Sequence, residues 1–159
     1  MSLGNKILIE GEPKGKFLEG YINGALKPGI LMQLDVSEAA VGGRFTYEAY
    51  APGTDGIRSG PLFILLEDYL QGKTMDTAYA DGDKCFLYVP YPGEELNILV
   101  GDVAGTGDDH AVGDLMIPNT SDGKWIATTG TPEWEPFMLL EAATDPTADA
   151  LMRAMHTGY

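Results

Sequence analysis

Turn-forming residues recur along this chain at intervals too short for ordinary helices. KPG stands at 27–29, PGTDG at 52–56, DGD at 81–83, YPGEE at 91–95, SDGK at 121–124 and GTPEWEP at 130–136. Glycine supplies the positive φ that tight reversals need, and Asp or Asn steadies a turn through bonds to its own backbone. Twenty-one glycines and ten prolines spread in this way through 159 residues describe a chain of short strands and tight turns.

The segments between the turns agree. RFTYEAY (44–50) alternates, with Phe45, Tyr47 and Ala49 on one face and Arg44, Thr46 and Glu48 on the other. ELNILV (95–100) places Leu96, Ile98 and Val100 on one face. ILMQLDV (30–36), PLFILLE (61–67) and KCFLYV (84–89) are continuous apolar runs, the pattern of strands covered on both sides. KWIATT (124–129) and PFMLLE (136–141) are further strand candidates. Helical signal is scarce. LEDYLQG (66–72) has room for one turn. In the tail, Asp145 suits an N-cap, Pro146 the first helical position, and Ala148, Leu151, Met152 and Met155 follow helical spacing. A helix is preferred there over an edge strand. No linker or composition break divides the chain, so the expectation is all-β: one compact domain of short antiparallel strands, barrel or sandwich, with little helix.

Charge narrows the function classes. The net charge is −14. Residues 1–27 carry four lysines against three glutamates, while residues 28–159 carry six positive and twenty-one negative side chains. An acidic body disfavours direct nucleic-acid binding and anionic membrane surfaces. No apolar run reaches the roughly 20 residues that span a bilayer, and no secretory signal is visible. The single cysteine, Cys85, excludes an intrachain disulfide framework and a cysteine-based zinc site; it falls within a strand-like run, as an inert buried thiol would.

GDVAGTGDDHAVGDL (101–115) concentrates glycines, aspartates and one of the two histidines. It lacks the lysine of a phosphate-binding loop and the third glycine of a dinucleotide fingerprint. The adjacent Asp108 and Asp109 do not alternate as calcium-loop ligands do, and AGTGDDHAV matches one unit of a calcium-binding repeat with no second copy. His110 could act as a base oriented by Asp109 or Asp114, but no nucleophile motif accompanies it. The stretch is best read as two strand ends and a turn. No cofactor and no metal site is expected, and no enzyme.

Two features suggest partner contacts. Trp125 and Trp134 bracket a turn near Phe137, as core or interface anchors or as a sugar-stacking pair. The segment KILIEGEPKGKFLEGYI (6–22) has apolar residues around a Pro/Gly hinge. It reads equally as a first strand or as an arm that adds to another chain's sheet edge.

The order of GALKPGILMQL (24–34), the run from PLFILLEDYL through GEELNILV (61–100), AVGDLMIPNTSDGKW (111–125) and PFMLLEAATD (136–145) resembles the small decoration, or cement, proteins of tailed-bacteriophage heads. The resemblance spans roughly residues 20 to 145, with 38–60 outside the matched order. It implies a β-tulip-like domain over residues 21–159 behind an N-terminal arm of residues 1–20. It implies a structural, non-catalytic role on the outer capsid surface, where trimers clamp neighbouring subunits of the major capsid protein. Lys14, Lys16 and Phe17 would be arm contacts, with Trp125 and Trp134 as further partner-binding residues. The protein would be made in the bacterial cytoplasm and end in the virion. The alternatives are a carbohydrate-binding β domain, a small β-barrel hydrolase using His110, or another virion or tail-associated β protein.

Overall fold

A computed structural model describes residues 7–8, 13–50, 62–74, 76–101, 109–119, 122–128, 136–142 and 149–158. Among them are ten strands and no helix: β1 (Lys16–Ile22), β2 (Leu31–Leu34), β3 (Thr46–Ala49), β4 (Phe63–Leu65), β5 (Lys84–Val89), β6 (Glu95–Val100), β7 (Leu115–Pro118), β8 (Trp125–Ala127), β9 (Phe137–Leu139) and β10 (Ala150–His156). The all-β expectation holds. The strands close into two barrels, the first in the order β1-β3-β2-β4-β5 and the second β6-β8-β7-β9-β10.

The two orders are the same. In each barrel the first and third strands run parallel, and every other neighbouring pair is antiparallel. The fold is therefore one five-stranded barrel topology used twice in tandem.

Alternation along the strands divides the core. In the first barrel Ile22, Met32, Tyr47, Leu65, Cys85 and Leu87 pack together. Their sequence neighbours Leu31, Ile64 and Tyr88 are also buried, but they join the cluster of the second barrel with Leu96, Ile98, Val100, Met116, Trp125, Phe137, Leu139 and Met152. Leu99 points the other way and packs with the first barrel. This explains the continuous apolar runs: one face fills its own barrel and the other is covered by its neighbour. Each fully buried Leu, Ile or Phe side chain contributes roughly 1.5–3 kcal/mol, so the shared cluster joins the barrels as one body.

Two of the turns seen in the sequence clasp the barrels together. At Gly29 (φ 92°) the carbonyl accepts the Leu99 N–H at 3.0 Å and the Trp125 indole N–H at 3.0 Å. A Cβ there would lie 2.8 Å from the Leu99 nitrogen. At Gly123 (φ 70°) the carbonyl accepts the Leu31 N–H at 2.8 Å, and a Cβ would lie 2.5 Å from the Leu31 oxygen. Both positions need a residue with no side chain, for the close approach as much as for the left-handed backbone.

Three sequence expectations change. The tail is β10 over residues 150–156, not a helix. It is not an edge either, since it pairs with β6 and β9. Its inward residues Met152, Ala154 and His156 follow a period of two, which the helically spaced Leu151, Met152 and Met155 had masked. Residues 16–20, assigned to the arm, form most of β1 in register with β5. Further toward the N-terminus, Ile7 is fully buried, and its carbonyl accepts the Asn97 N–H at 2.8 Å.

Candidate interaction surface

The N-terminal segment meets the body at a polar knot. The Glu94 carboxylate, from the YPGEE turn, accepts hydrogen bonds from the Tyr88 hydroxyl at 2.6 Å, the Gly15 N–H at 3.3 Å, the Lys14 N–H and the Tyr91 N–H. Burial works to raise the Glu94 pKa, but these donors outweigh it and hold the carboxyl below its ordinary value. Burial pushes the Tyr88 hydroxyl up, and its bond to Glu94 adds to that. The knot fixes where Lys14, Lys16 and Phe17 emerge. Both lysines are exposed. Phe17 is half exposed, with its ring 5.0 Å from Tyr88.

β1 carries an open edge. The Ile22 N–H reaches the Asp83 carbonyl at 3.0 Å and the Tyr21 N–H reaches the Phe45 carbonyl at 3.0 Å, so odd-numbered residues turn their backbone away from β5. β3 begins only at Thr46. The main-chain groups of Phe17 and Glu19 thus lie on the open side, where no described strand pairs with them. The Glu19 side chain bonds Arg44 at 2.6 Å across this edge.

Beside it, where LEDYLQG has room for one helical turn, stands a tight hairpin, residues 68–73. Asp68 and Lys73 exchange backbone hydrogen bonds at 3.0 and 2.8 Å. The buried Asp68 carboxylate accepts the Leu70 N–H at 2.9 Å and the Gln71 N–H at 3.3 Å. Gln71 is tied to the Lys84 carbonyl at 3.1 Å, and Lys73 to Asp83 at 2.7 Å. At the tip Leu70 is 98% exposed and Tyr69 57%. The legible signal was an apolar pair inside a D-x-x-x-G turn. Between this hairpin and Arg44 lies an open groove of about 390 Å³, lined by Glu19, Lys84 and Phe86 and, from the hairpin itself, Leu70 and Gln71.

The other expected sites fare differently. Trp125 is fully buried, edge-on to Phe137 at 4.9 Å, and so cannot stack on a sugar or touch a partner. Trp134 lies outside the described residues, as does 102–108 of the glycine–aspartate stretch. His110 is buried, with no hydrogen-bond partner at Nδ1 among the described residues. Asp114 serves the turn, accepting the Ala111 N–H at 2.7 Å. Burial pushes the Cys85 thiol up to about 12, far from a reactive thiolate. Among the described residues no three His, Cys, Asp or Glu side chains gather to hold a metal.

The class these features define is a tandem-barrel β protein. No protein-family model matches the sequence, and no curated protein is similar to it in sequence. In fold the chain is similar to the head fiber gp8.5 N base of bacteriophage phi29, with a TM-score of 0.53 and 10% sequence identity over 90% of this chain and 94% of that one. The likeness therefore takes in both barrels.

Proposed function

We propose that this chain is a structural, non-enzymatic protein of a tailed-phage virion, attached to the outer surface of the head. The observation that carries the reading is the whole-length likeness of the tandem barrel to the base of a phage head fiber. The order of turn and strand motifs that resembles head decoration proteins supports it independently. So does the charge: a chain at net −14 is unsuited to facing packaged DNA.

The mechanism is linkage. A protein that binds the assembled shell, and not free capsid subunits, stabilises the shell by mass action. If three copies act as one trimer across subunit joints, modest contacts multiply, with avidity gains of about 10² to 10⁴. Lys14, Lys16 and Phe17 are the contacts we assign to the major capsid protein, held in place by the Glu94 knot. Ile7 packs on the body, so a truncation that reaches it removes core as well as arm.

The test is cosedimentation of the purified protein with heads of the phage that encodes it, lacking this protein. Saturable binding that raises the temperature at which heads rupture is the expected result. Lys14→Glu with Lys16→Glu should weaken it while the fold is kept. Absence of binding to heads in any state of expansion overturns the reading.

A further inference from the structure

We propose that copies of this chain associate through the first barrel, with the Tyr69–Leu70 tip of one copy seated against the groove face of the next. The proposal deepens the assembly half of the reading above and rests on it.

The first observation is where apolar surface lies. Among the described residues Phe17, Leu34, Val36, Val41, Phe45, Tyr69 and Leu70 are all exposed on the first barrel; over residues 91–159 the exposed large apolar side chains are Tyr91, in the turn that enters the second barrel, and Val112. Exposed apolar side chains concentrated on one of two barrels mark that barrel as the contact surface.

The second is rigidity. Leu70 and Tyr69 are not on a loose loop. The Asp68 carboxylate, the backbone pair with Lys73 and the Gln71 tie to Lys84 hold the tip in one shape before any partner arrives. A preformed aromatic and aliphatic tip loses little freedom on docking, which is how a few residues come to dominate an interface.

The third observation selects a second copy as the occupant. Two copies at net −14 repel, and across about 8 Å at physiological salt the repulsion is felt directly. Residues 91–159 carry twelve acidic side chains against two basic ones, so contact through the second barrel sets like charge on like. Residues 13–90 carry ten against seven. At the groove itself the balance is even: Glu19 and Asp68 against Arg44 and Lys84. Contact through the first barrel therefore sets less like charge on like than contact through the second, and the groove is roomy enough for a leucine side chain.

The experiment is light scattering on the full chain over a roughly hundredfold concentration range, for the wild type, Leu70→Glu and Val112→Glu. Both substitutions add one negative charge at an exposed apolar position, and circular dichroism checks that both fold. We expect an oligomeric wild type, an association constant reduced at least about 30-fold in Leu70→Glu, and a change within about threefold in Val112→Glu. A wild type that stays monomeric throughout, or a Leu70→Glu variant that keeps its mass, overturns the proposal. Head cosedimentation separates the two readings. An oligomer dissolved by Leu70→Glu but indifferent to heads keeps this interface and sinks the head-attachment reading. A monomer that binds heads does the reverse, and loss of that binding in Leu70→Glu would assign the tip to the shell.

Discussion

In the first barrel Cys85, Leu87, Leu65 and Tyr47 pack together, and among the described residues the outside carries seven large exposed apolar side chains; in the second, Trp125 and Phe137 are fully buried, and the outside is acidic with Val112, and Tyr91 at its entry, exposed. Strand order, strand direction and the closing antiparallel pair are nevertheless the same. Ladder topology is thus compatible with very different surfaces, because alternate residues face solvent and are free to vary once the inward set is apolar. The barrels also depend on each other. Leu31, Ile64 and Tyr88 belong to the first by pairing and to the second by packing. The likeness of topology is a likeness of frame, and the division of labour is written on the outer faces.

The shared cluster makes that dependence testable. Trp125→Ala should cost about 3–5 kcal/mol, and both barrels should fall together. Denaturation followed by circular dichroism should coincide with exposure of the Cys85 thiol in the other barrel; separated curves would show that the barrels unfold independently. Gly29→Ala comes next. The left-handed backbone and the 2.8 Å approach to Leu99 set a penalty of about 2–3 kcal/mol in urea denaturation. An unchanged midpoint would mean that the clasp relaxes freely. Tyr79→Phe removes the buried bond to the Leu66 carbonyl (2.9 Å) inside the first barrel, with an expected loss of about 1 kcal/mol.

Acid should act through Glu94. Its folded pKa lies below the ordinary 4.5, so its contribution is complete above that value and is lost as pH falls through the folded pKa. Melting temperature should drop on that acid limb, and Glu94→Gln should flatten the drop. A variant with an unaltered acid limb would remove the knot from the account of how residues 14–15 are held. The smallest effect is expected at the exposed Glu19–Arg44 pair, where Arg44→Ala should change stability by less than about 0.5 kcal/mol. A larger loss would show that the open edge of β1 depends on that pair.

Much of the frame was legible. KCFLYV and ELNILV are β5 and β6 to the residue, and the runs around 30–36, 44–50, 61–67, 124–129 and 136–141 each contain a strand. Their signal is local, an apolar period bounded by Gly or Pro. β7 is marked in the sequence only through the resemblance over 111–125, because LMIP is short and ends in proline. β10 was obscured because two of its inward residues, Ala154 and His156, are weakly hydrophobic beside the helically spaced methionines. The duplicated strand order was not legible, since parallel pairs such as Tyr21 with Thr46 and Val100 with Trp125 depend on contacts distant in sequence. The surface was legible only in part. Lys14, Lys16 and Phe17 are exposed, and Trp125, which reads in the sequence as either a core or an interface anchor, is an anchor for its own barrel. Hydrophobicity alone does not distinguish the two; the neighbours Gly29 and Phe137 do.

The shared packing also bears on synthesis. A ribosome delivers the chain from its N-terminus, so the ladder of the first barrel can close once Val89 has emerged. At that moment Leu31, Ile64 and Tyr88 have no cover, because the strands that bury them are still unmade. For the several seconds needed to add roughly seventy residues, the nascent chain holds a finished barrel with a bare apolar flank. Slowing translation across 90–156 should therefore raise the demand for chaperones, while a Tyr88→Ser exchange should ease that demand in the nascent chain and weaken the completed protein.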